Sequence, residues 1–212
     1  MPEARRFAAT IRRMGARLAA EVAIPPGDGR FPAVLFVHGL GSGKDSPRNV
    51  LLSEILLDAG FATVRFDLSS HGDSSEDKRG IEAFPDDVVA AYRWTTRLDG
   101  VDPARVGIAA TSAGARGTLQ AVNAGRIAPA ALVLRAPVLD EDVHAHRTTI
   151  PTLIIIGDLD GLFPKVGSMS HDVEGVKLVI VPGASHNFEE EGALERVVEE
   201  TVAWFRQHLS RA

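Results

Sequence analysis

The chain has 212 residues, 45% of them hydrophobic and 24% charged, and its formal net charge is −5. This size and composition predict one soluble globular domain, covering residues 1–212, with a full hydrophobic core. The negative net charge does not indicate a nucleic acid or an anionic membrane as a partner. Because there is no cysteine, disulfides, thiolate zinc sites and a cysteine nucleophile are excluded.

The N-terminal segment contains five arginines by position 17 and no continuous apolar stretch of the secretory type. A targeting peptide would also contain arginines, but the pattern favours the solvent-exposed face of two opening strands, one of them near residues 16–24. No apolar stretch in the chain reaches the length of about 18 residues that a membrane-spanning helix needs. We therefore expect a cytoplasmic protein with no membrane partner.

The next elements are predicted from apolar runs and from proline and glycine signals. Residues 33–39 (AVLFVHG) form a buried strand. In the helix that follows, Ser46 and Pro47 are the N-cap and first-turn signals, and Gly60 marks the end. Residues 62–68 (ATVRFDL) then form a second buried strand.

The second half of the chain continues the alternation of helices and strands. Residues 85–100 predict a helix with a proline and two acids in its first turn and a glycine at its end. A short buried strand at 105–110 (RVGIAA) precedes a helix that starts after Ser112 and reaches about Asn123. The remaining strands are 130–136, 152–157 and 176–181, and the closing helix has an apolar face of Leu194, Val197, Val198, Val202, Phe205 and Leu209.

The predicted strands after residue 33 are apolar throughout, as in strands that are buried on both faces of a sheet. Such strands alternating with helices indicate an α/β fold, with a mostly parallel sheet covered by helices on both sides. Ligands of open parallel sheets bind at the carboxyl ends of the strands. The polar residues that follow each strand are therefore the candidates for a functional site.

The segment HGLGSGKDS (38–46) is rich in glycine and raises the alternative of a nucleotide-binding protein. The Walker pattern fails, because His38 stands five residues before Gly43 and Asp45 follows Lys44. The dinucleotide-binding pattern fails as well, because Lys44 occupies the place of its third glycine. A glycine-rich turn at this place is also suited to directing backbone N–H groups at developing negative charge.

The segment DLSSHGDSS (67–75) contains Asp67, His71 and Asp73, which raise the alternative of a metal site. No second group of ligands in the sequence matches these three. The pattern instead favours a polar loop in which Asp and Ser side chains bond to nearby backbone groups. We therefore predict no bound metal and no cofactor.

Residues 110–114 (ATSAG) are a near match to the nucleophile-elbow pattern G-x-S-x-G, with Ala110 in place of the first glycine. Small residues are needed on both sides of the serine because the turn from strand to helix is tight. Such a turn would hold Ser112 at a helix N-terminus, where the helix dipole favours an oxyanion. The alternative is that Ser112 only caps the helix.

Two further strands are followed by an acid and a histidine. The segment GDLDG (157–161) contains Asp158 and Asp160, and PGASHNF (182–188) contains His186. The chain order Ser, Asp, His is that of an α/β-hydrolase catalytic triad. In such a triad the histidine accepts the serine proton and the aspartate holds the imidazole in the required tautomer.

Nearly the whole chain resembles the α/β-hydrolase superfamily, most closely the branch of dienelactone-hydrolase-like proteins. Two of the segments are also similar to small acyl esterases of the cinnamoyl and feruloyl type. The resemblance is carried by FVHGLGSGKDS, RFDLSSHGDSS, ATSAGA, IIIGDLDGLFP and VPGASHNFEEEGALERVVEETVAWF.

The resemblance implies an eight-stranded, mostly parallel sheet flanked by helices. It implies that Ser112 is the nucleophile and His186 the base, and the family's G-x-x-D pattern selects Asp160 as the acid. The implied oxyanion donors are the backbone N–H groups of Leu40 and Ala113. The expected function is that of a serine hydrolase that cleaves carboxylic esters without a cofactor.

The chain departs from the family in two respects. Dienelactone hydrolases use a cysteine nucleophile, which is missing here, so the resemblance does not extend to the dienelactone substrate. The segment 137–151 is too short for a lid domain, so we expect an open site for small or short-acyl esters. His144 and His146 in this segment are candidates for a metal or substrate contact, but a solvated loop is favoured.

Other hypotheses stay open at this point. The same triad would also cleave thioesters, lactones or peptides, and the same fold would serve a non-catalytic binding module. The expected partner is a small-molecule ester.

Overall fold

The structure is a computed structural model that describes residues 3–140, 143, 149–171 and 173–210. Its strands are β1 (Arg5–Arg13), β2 (Ala16–Ile24), β3 (Phe31–Val37), β4 (Ala62–Phe66), β5 (Val101–Thr111), β6 (Ala131–Arg135), β7 (Thr152–Gly157) and β8 (Val176–Val181). Its helices are α1 (Pro47–Asp58), α2 (Phe84–Thr95), α3 (Ser112–Asn123), α4 (Phe163–Ser170) and α5 (Ala193–Leu209), with a short 3₁₀ helix at Gly80–Ala83.

The strands form one eight-stranded sheet in the order β1-β2-β4-β3-β5-β6-β7-β8. The β1–β2 hairpin and the β2–β4 pair are antiparallel, and the five remaining pairs are parallel. This architecture confirms the predicted α/β fold with a mostly parallel sheet. The carboxyl ends of β3, β5, β7 and β8 therefore lie along one edge, where a ligand site is expected.

The hydrophobic core lies on both faces of the sheet, which explains why the central strands lack polar alternation. One face packs against α2, α3 and α4, and includes Val88, Leu119 and Val166. The other packs against α1 and α5, and includes Leu52 and Phe205. The closing helix thus covers the sheet with its apolar side, as its spacing predicts.

The structure differs from the predicted elements at three places. Helix α2 ends at Thr95 and is followed by turns, and β5 begins earlier than predicted, at Val101, which pairs with Phe31. Helix α4 was not predicted, since it is only eight residues long and too short for a helical apolar period to be recognised. The N-terminal arginines do not all lie on a solvent-exposed face: Arg5 is largely exposed, whereas Arg13 forms a buried ion pair with Asp87.

Across the described residues, no helix combines the length and the apolarity that crossing a membrane requires.

Candidate active site

Ser112 lies at the junction between β5 and α3. Thr111 still has extended backbone, whereas Ser112 has a φ of 52°, in the left-handed region that a non-glycine residue rarely adopts. Strained backbone of this kind is concentrated at functional sites. The turn presents the Ser112 hydroxyl 3.2 Å from Nε2 of His186, so the side chain faces the imidazole instead of capping α3.

Small residues around the serine are required by close backbone approach. A Cβ added to Gly114 would lie 2.2 Å from the carbonyl oxygen of His38, which is an impossible contact. A Cβ added to Gly39 would lie 3.1 Å from Cβ of Ser112. The β3 loop and the start of α3 therefore meet backbone to backbone at this junction.

His186 stands between the serine and an aspartate. Its Nδ1 lies 2.8 Å from Oδ2 of Asp160, whose side chain is 2% exposed. The other carboxylate oxygen of Asp160 accepts the backbone N–H of Leu162 at 2.9 Å. These contacts hold the carboxylate against the ring, and they favour the tautomer in which Nδ1 carries the proton and Nε2 faces Ser112.

The neighbouring acids lie elsewhere. Asp158 is exposed and accepts the backbone N–H of Gly183 at 2.7 Å. Asp140 pairs with Arg116 at 3.0 Å. Asp142, His144 and His146 fall outside the described residues. Of the two acids in the segment after β7, the structure brings Asp160 to His186.

The backbone N–H groups of Leu40 and Ala113 lie on the two sides of the same junction. The Gly39 carbonyl is 2.7 Å from Nδ1 of the buried His38 ring. Because a trans peptide places C=O and N–H on opposite sides, the Leu40 N–H points away from that ring. Ala113 is the second residue of α3, so its N–H is one of the unpaired donors of the helix start.

Ser112 and His186 open into a cavity of about 680 Å³. Its walls come from the β3 loop, the start of α1, the turn after β4, the end of β6 and the segment after β8. This volume suits a small organic ligand.

Comparisons with known proteins identify the family of this fold. A family profile described as the alpha/beta hydrolase fold matches residues 32–147, which is more than half of the chain. The chain belongs to the α/β-hydrolase family. The eight-stranded sheet with its flanking helices is the fold that this family description names.

Three relatives illustrate the range of this α/β-hydrolase family. A dienelactone hydrolase from Anabaena variabilis ATCC 29413 is 29% identical, has a TM-score of 0.80, and the match covers 98% of this chain and 99% of that one. Est1E from Butyrivibrio proteoclasticus, solved with ferulic acid, has a TM-score of 0.84 at 20% identity over 96% and 100% of the two chains, which shows the fold alone.

The third relative is a protein of Mycobacterium tuberculosis, strain H37Rv, provisionally named a phosphoribosyl transferase. It is 34% identical over 186 residues, which cover 83% of this chain and 41% of that protein. The present chain therefore spans less than half the length of this relative.

A charge cluster fixes the loop of this α/β-hydrolase that carries Leu40. Asp67, which is 1% exposed, accepts the backbone N–H of Lys44 at 2.6 Å and that of Asp73 at 3.0 Å. The Lys44 ammonium lies within ion-pair distance of Asp45, Asp67 and Asp73. Burial by itself lowers the pKa of Lys44, but the three carboxylates together outweigh it and hold the pKa above the ordinary value of 10.5. The carboxylates thus bond to backbone groups and to the lysine, as predicted for a polar loop.

Within the described ranges, no three His, Cys, Asp or Glu side chains form a group able to hold a metal ion.

Three residues with a bearing on the site were missed by the sequence analysis: His38 and Lys44, whose roles it did not foresee, and Arg135. Arg135 is a charged residue at the end of an otherwise apolar strand, and this was the available signal. His38 and Lys44 form contacts with residues that are distant in the chain, which no local pattern reveals.

We predict that replacing Asp67 with asparagine lowers both stability and activity. The variant loses the charge that pairs with the buried Lys44, while Asp45 and Asp73 remain as partners of the ammonium. The expected cost is about 1.5–3 kcal/mol of unfolding free energy, the range for hydrogen bonds to charged groups. The loop that carries Leu40 should also shift, and we expect kcat/KM for a short ester to fall on the order of 10-fold. Urea unfolding and steady-state kinetics measure both effects.

The matched control is Asp73→Asn, which removes another Lys44 partner from a side chain that is 77% exposed. An exposed pair contributes at most about 1 kcal/mol, so this variant should stay close to wild type. Equal losses in the two variants would contradict the assigned role of Asp67.

We also predict a pH dependence of stability that arises from His38. Its Nε2 accepts the backbone N–H of Leu68 at 2.9 Å, so Nδ1 carries the proton that is shared with the Gly39 carbonyl. This neutral ring is buried, and desolvation lowers the pKa of His38 below the ordinary 6.5, with a further lowering by the nearby His71. The unfolded chain then binds the proton more tightly than the folded protein does.

The contribution of His38 to stability is therefore fully present above about pH 6.5. This contribution decreases as the pH falls below about 6.5. The total loss is about 1.4 kcal/mol for each unit by which the pKa of His38 in the folded protein lies below its pKa in the unfolded chain. Denaturant unfolding from pH 7.5 to 5.0 should give a flatter profile for His38→Asn than for wild type. His208→Gln is the comparison, because burial also lowers the pKa of His208. A His38→Asn profile parallel to wild type would show that His38 does not titrate in this way.

Proposed function

We propose that this chain is a serine hydrolase that cleaves carboxylic esters of small or short-acyl substrates. The observation that carries the proposal is the continuous arrangement of Ser112 Oγ, the His186 ring and the Asp160 carboxylate, with separations of 3.2 and 2.8 Å. Both distances lie within the hydrogen-bonding reach that proton transfer requires. The left-handed backbone of Ser112 supports the same role.

The proposed reaction proceeds through an acyl-enzyme. Ser112 Oγ attacks the ester carbonyl while His186 Nε2 takes its proton, and Asp160 stabilises the imidazolium through Nδ1. The N–H groups of Leu40 and Ala113 stabilise the oxyanion. His186 then protonates the leaving alcohol, and a water molecule, deprotonated by the same histidine, releases the acid and restores Ser112.

A lactone is a second candidate substrate, favoured by the name of the Anabaena relative, which is a dienelactone hydrolase at 29% identity. A lactone is a cyclic ester and would be opened by the same steps. The name of the Mycobacterium tuberculosis relative describes a protein of which this chain spans 41%, and transfer of a phosphoribosyl group has no counterpart in the proposed steps. Thioesters and peptides would use the same residues.

A fluorophosphonate probe tests the proposal directly. Covalent labelling at Ser112, located by peptide mass spectrometry, is expected from wild type, and its loss is expected in Ser112→Ala. Folded wild-type protein that resists the probe would favour a non-catalytic binding module. Linear p-nitrophenyl esters and simple lactones, assayed side by side, then distinguish the two substrate classes.

We further predict a preference for short acyl chains, from acetyl to about hexanoyl, because the cavity has the size of a small-molecule site. Measurement of kcat/KM across p-nitrophenyl esters from acetyl to palmitoyl checks this. Maximal activity on palmitoyl esters together with interfacial activation would contradict it.

A further inference from the structure

An arginine that has no acidic partner among the described residues lies in the wall of the cavity. Arg135 is the last residue of β6, is 3% exposed and lines the same cavity as Ser112. Its Cα pairs across the sheet with Thr111, the residue before Ser112, so it lies about one strand spacing, roughly 4.8 Å, from the elbow. Within the described residues, its hydrogen bond goes to Oδ1 of Asn49 at 2.6 Å, and its Nε has no partner.

Other buried cations of this protein are neutralised. Arg13 forms ion pairs with Asp77 and Asp87, and Lys44 forms ion pairs with Asp67 and two further aspartates. For Arg135, the part of the chain that the structure describes contains no carboxylate within ion-pair distance.

Arg135 nevertheless stays charged. Burial and the like charge of Arg48 lower its pKa to about 10, which is still well above neutral pH. A buried charge without a counter-ion costs free energy, and an anion that enters the cavity would recover part of it. Arginine also offers a planar fork of donors that matches carboxylate and phosphate oxygens.

Two neighbours strengthen the positive character of this part of the cavity. Arg48 lines the cavity from the first turn of α1. It forms an ion pair with Glu189 at 3.2 Å, and the side chain of Glu189 is largely exposed to solvent. The sequence of that first turn contains no acidic residue, so the partial positive charge of the start of α1 is not offset locally. The same cavity is therefore lined by the start of α1, by Arg48 and by the buried Arg135.

The acids in the cavity wall are already occupied. Asp45, Asp67 and Asp73 contact Lys44, and Asp45 also lies 3.5 Å from Arg65. They do not compete for Arg135, whose hydrogen bond goes to Asn49.

We propose that Arg135, assisted by Arg48 and the start of α1, binds an anionic group of the substrate, a carboxylate or a phosphate. The hydrolase would then select esters that carry a second, negatively charged group near the scissile bond. This inference deepens the proposed function, since the place of the anion in a reaction depends on Ser112 being the nucleophile.

Anion binding is measured without catalysis. Titration calorimetry of the Ser112→Ala protein at constant ionic strength compares glutarate and inorganic phosphate with the neutral glutaric diamide. We expect one of the anions to bind at least about 10-fold more tightly than the diamide, and the tighter one identifies carboxylate or phosphate as the ligand. Adding Arg135→Met should weaken anion binding by roughly 10- to 100-fold, the range for hydrogen bonds to charged groups. The charge-matched control is Arg206→Met, an exposed residue of α5.

Ester selectivity provides the second readout. Monoethyl glutarate and acetoxyacetate carry the carboxylate on the acyl and alcohol sides, and ethyl 5-methylhexanoate and isobutyl acetate are their neutral counterparts of similar shape. For at least one pair, the ratio of kcat/KM for the charged over the neutral ester should fall about 10- to 100-fold in Arg135→Met. A merely structural arginine would alter both members of a pair alike.

The proposal is overturned if glutarate, phosphate and the diamide bind equally, or if Arg135→Met and Arg206→Met behave alike. Should Arg135→Met fail to fold, Arg135→Lys and Arg48→Gln replace it, and each should weaken anion binding several-fold. Fluorophosphonate labelling separates the two proposals. Labelling without anion binding removes only the anion site, and anion binding without labelling removes only the serine hydrolase.

Discussion

Replacing Ser112 with alanine should reduce turnover of p-nitrophenyl acetate by a factor on the order of 10⁶, the cost of removing the attacking oxygen from a triad. The melting temperature should change little. The Ser112 hydroxyl faces His186 and does not cap α3. Its removal should therefore not cost even the roughly 1 kcal/mol of unfolding free energy that the loss of a helix cap costs. Initial rates and thermal unfolding of the same preparation measure both quantities.

Ser42→Ala is the matched control, because Ser42 lines the same cavity on the β3 loop. Its activity should stay within a few-fold of wild type. An active Ser112→Ala protein with an unchanged melting curve would place the nucleophile at another residue.

Replacing Asp160 with asparagine should reduce kcat/KM by up to about 10⁴-fold, as for other triad acids. An amide keeps the shape of the side chain, but its NH₂ group cannot accept the proton on Nδ1 of His186. The ring would then favour the tautomer with the proton on Nε2, which cannot take the proton of Ser112. Steady-state kinetics of the folded variant test this.

Asp158→Asn is the matched control two residues away. Asp158 accepts the N–H of Gly183, and asparagine retains an acceptor oxygen for that bond, so we expect a loss below about 10-fold. If Asp158→Asn is inactive while Asp160→Asn is active, the triad acid is Asp158 and not Asp160. Two active variants would turn attention to Asp140 and Asp142.

Much of this fold is determined locally. The apolar runs at 33–37 and 152–157 predict buried parallel strands because each must cover both of its faces. The small residues around Ser112 predict a tight turn between strand and helix, and the Gly114 contact with the His38 carbonyl gives the steric reason. The order of serine, acid and histidine along the chain was likewise visible without coordinates.

The contacts between distant segments were decided by the tertiary structure alone. Ser112 and His186 are 74 residues apart in the chain, and only the sheet order brings their strand ends together. Asp158 and Asp160 are equally polar in sequence, and their side chains separate because the turn after β7 directs one to Gly183 and the other to His186.

The burial of charged side chains and their pairing were likewise decided by the tertiary structure alone. The sequence shows that an arginine ends β6 but does not show what surrounds it. The structure places Asn49 of α1 against Arg135, and no carboxylate of the described residues lies within ion-pair distance. Lys44 lies in a glycine-rich segment whose spacing excludes a phosphate loop but does not reveal its partners, and in the structure it forms ion pairs with three aspartates. Local sequence determines which backbone forms are favourable, whereas the electrostatic energy of a side chain depends on partners that only the packed structure supplies.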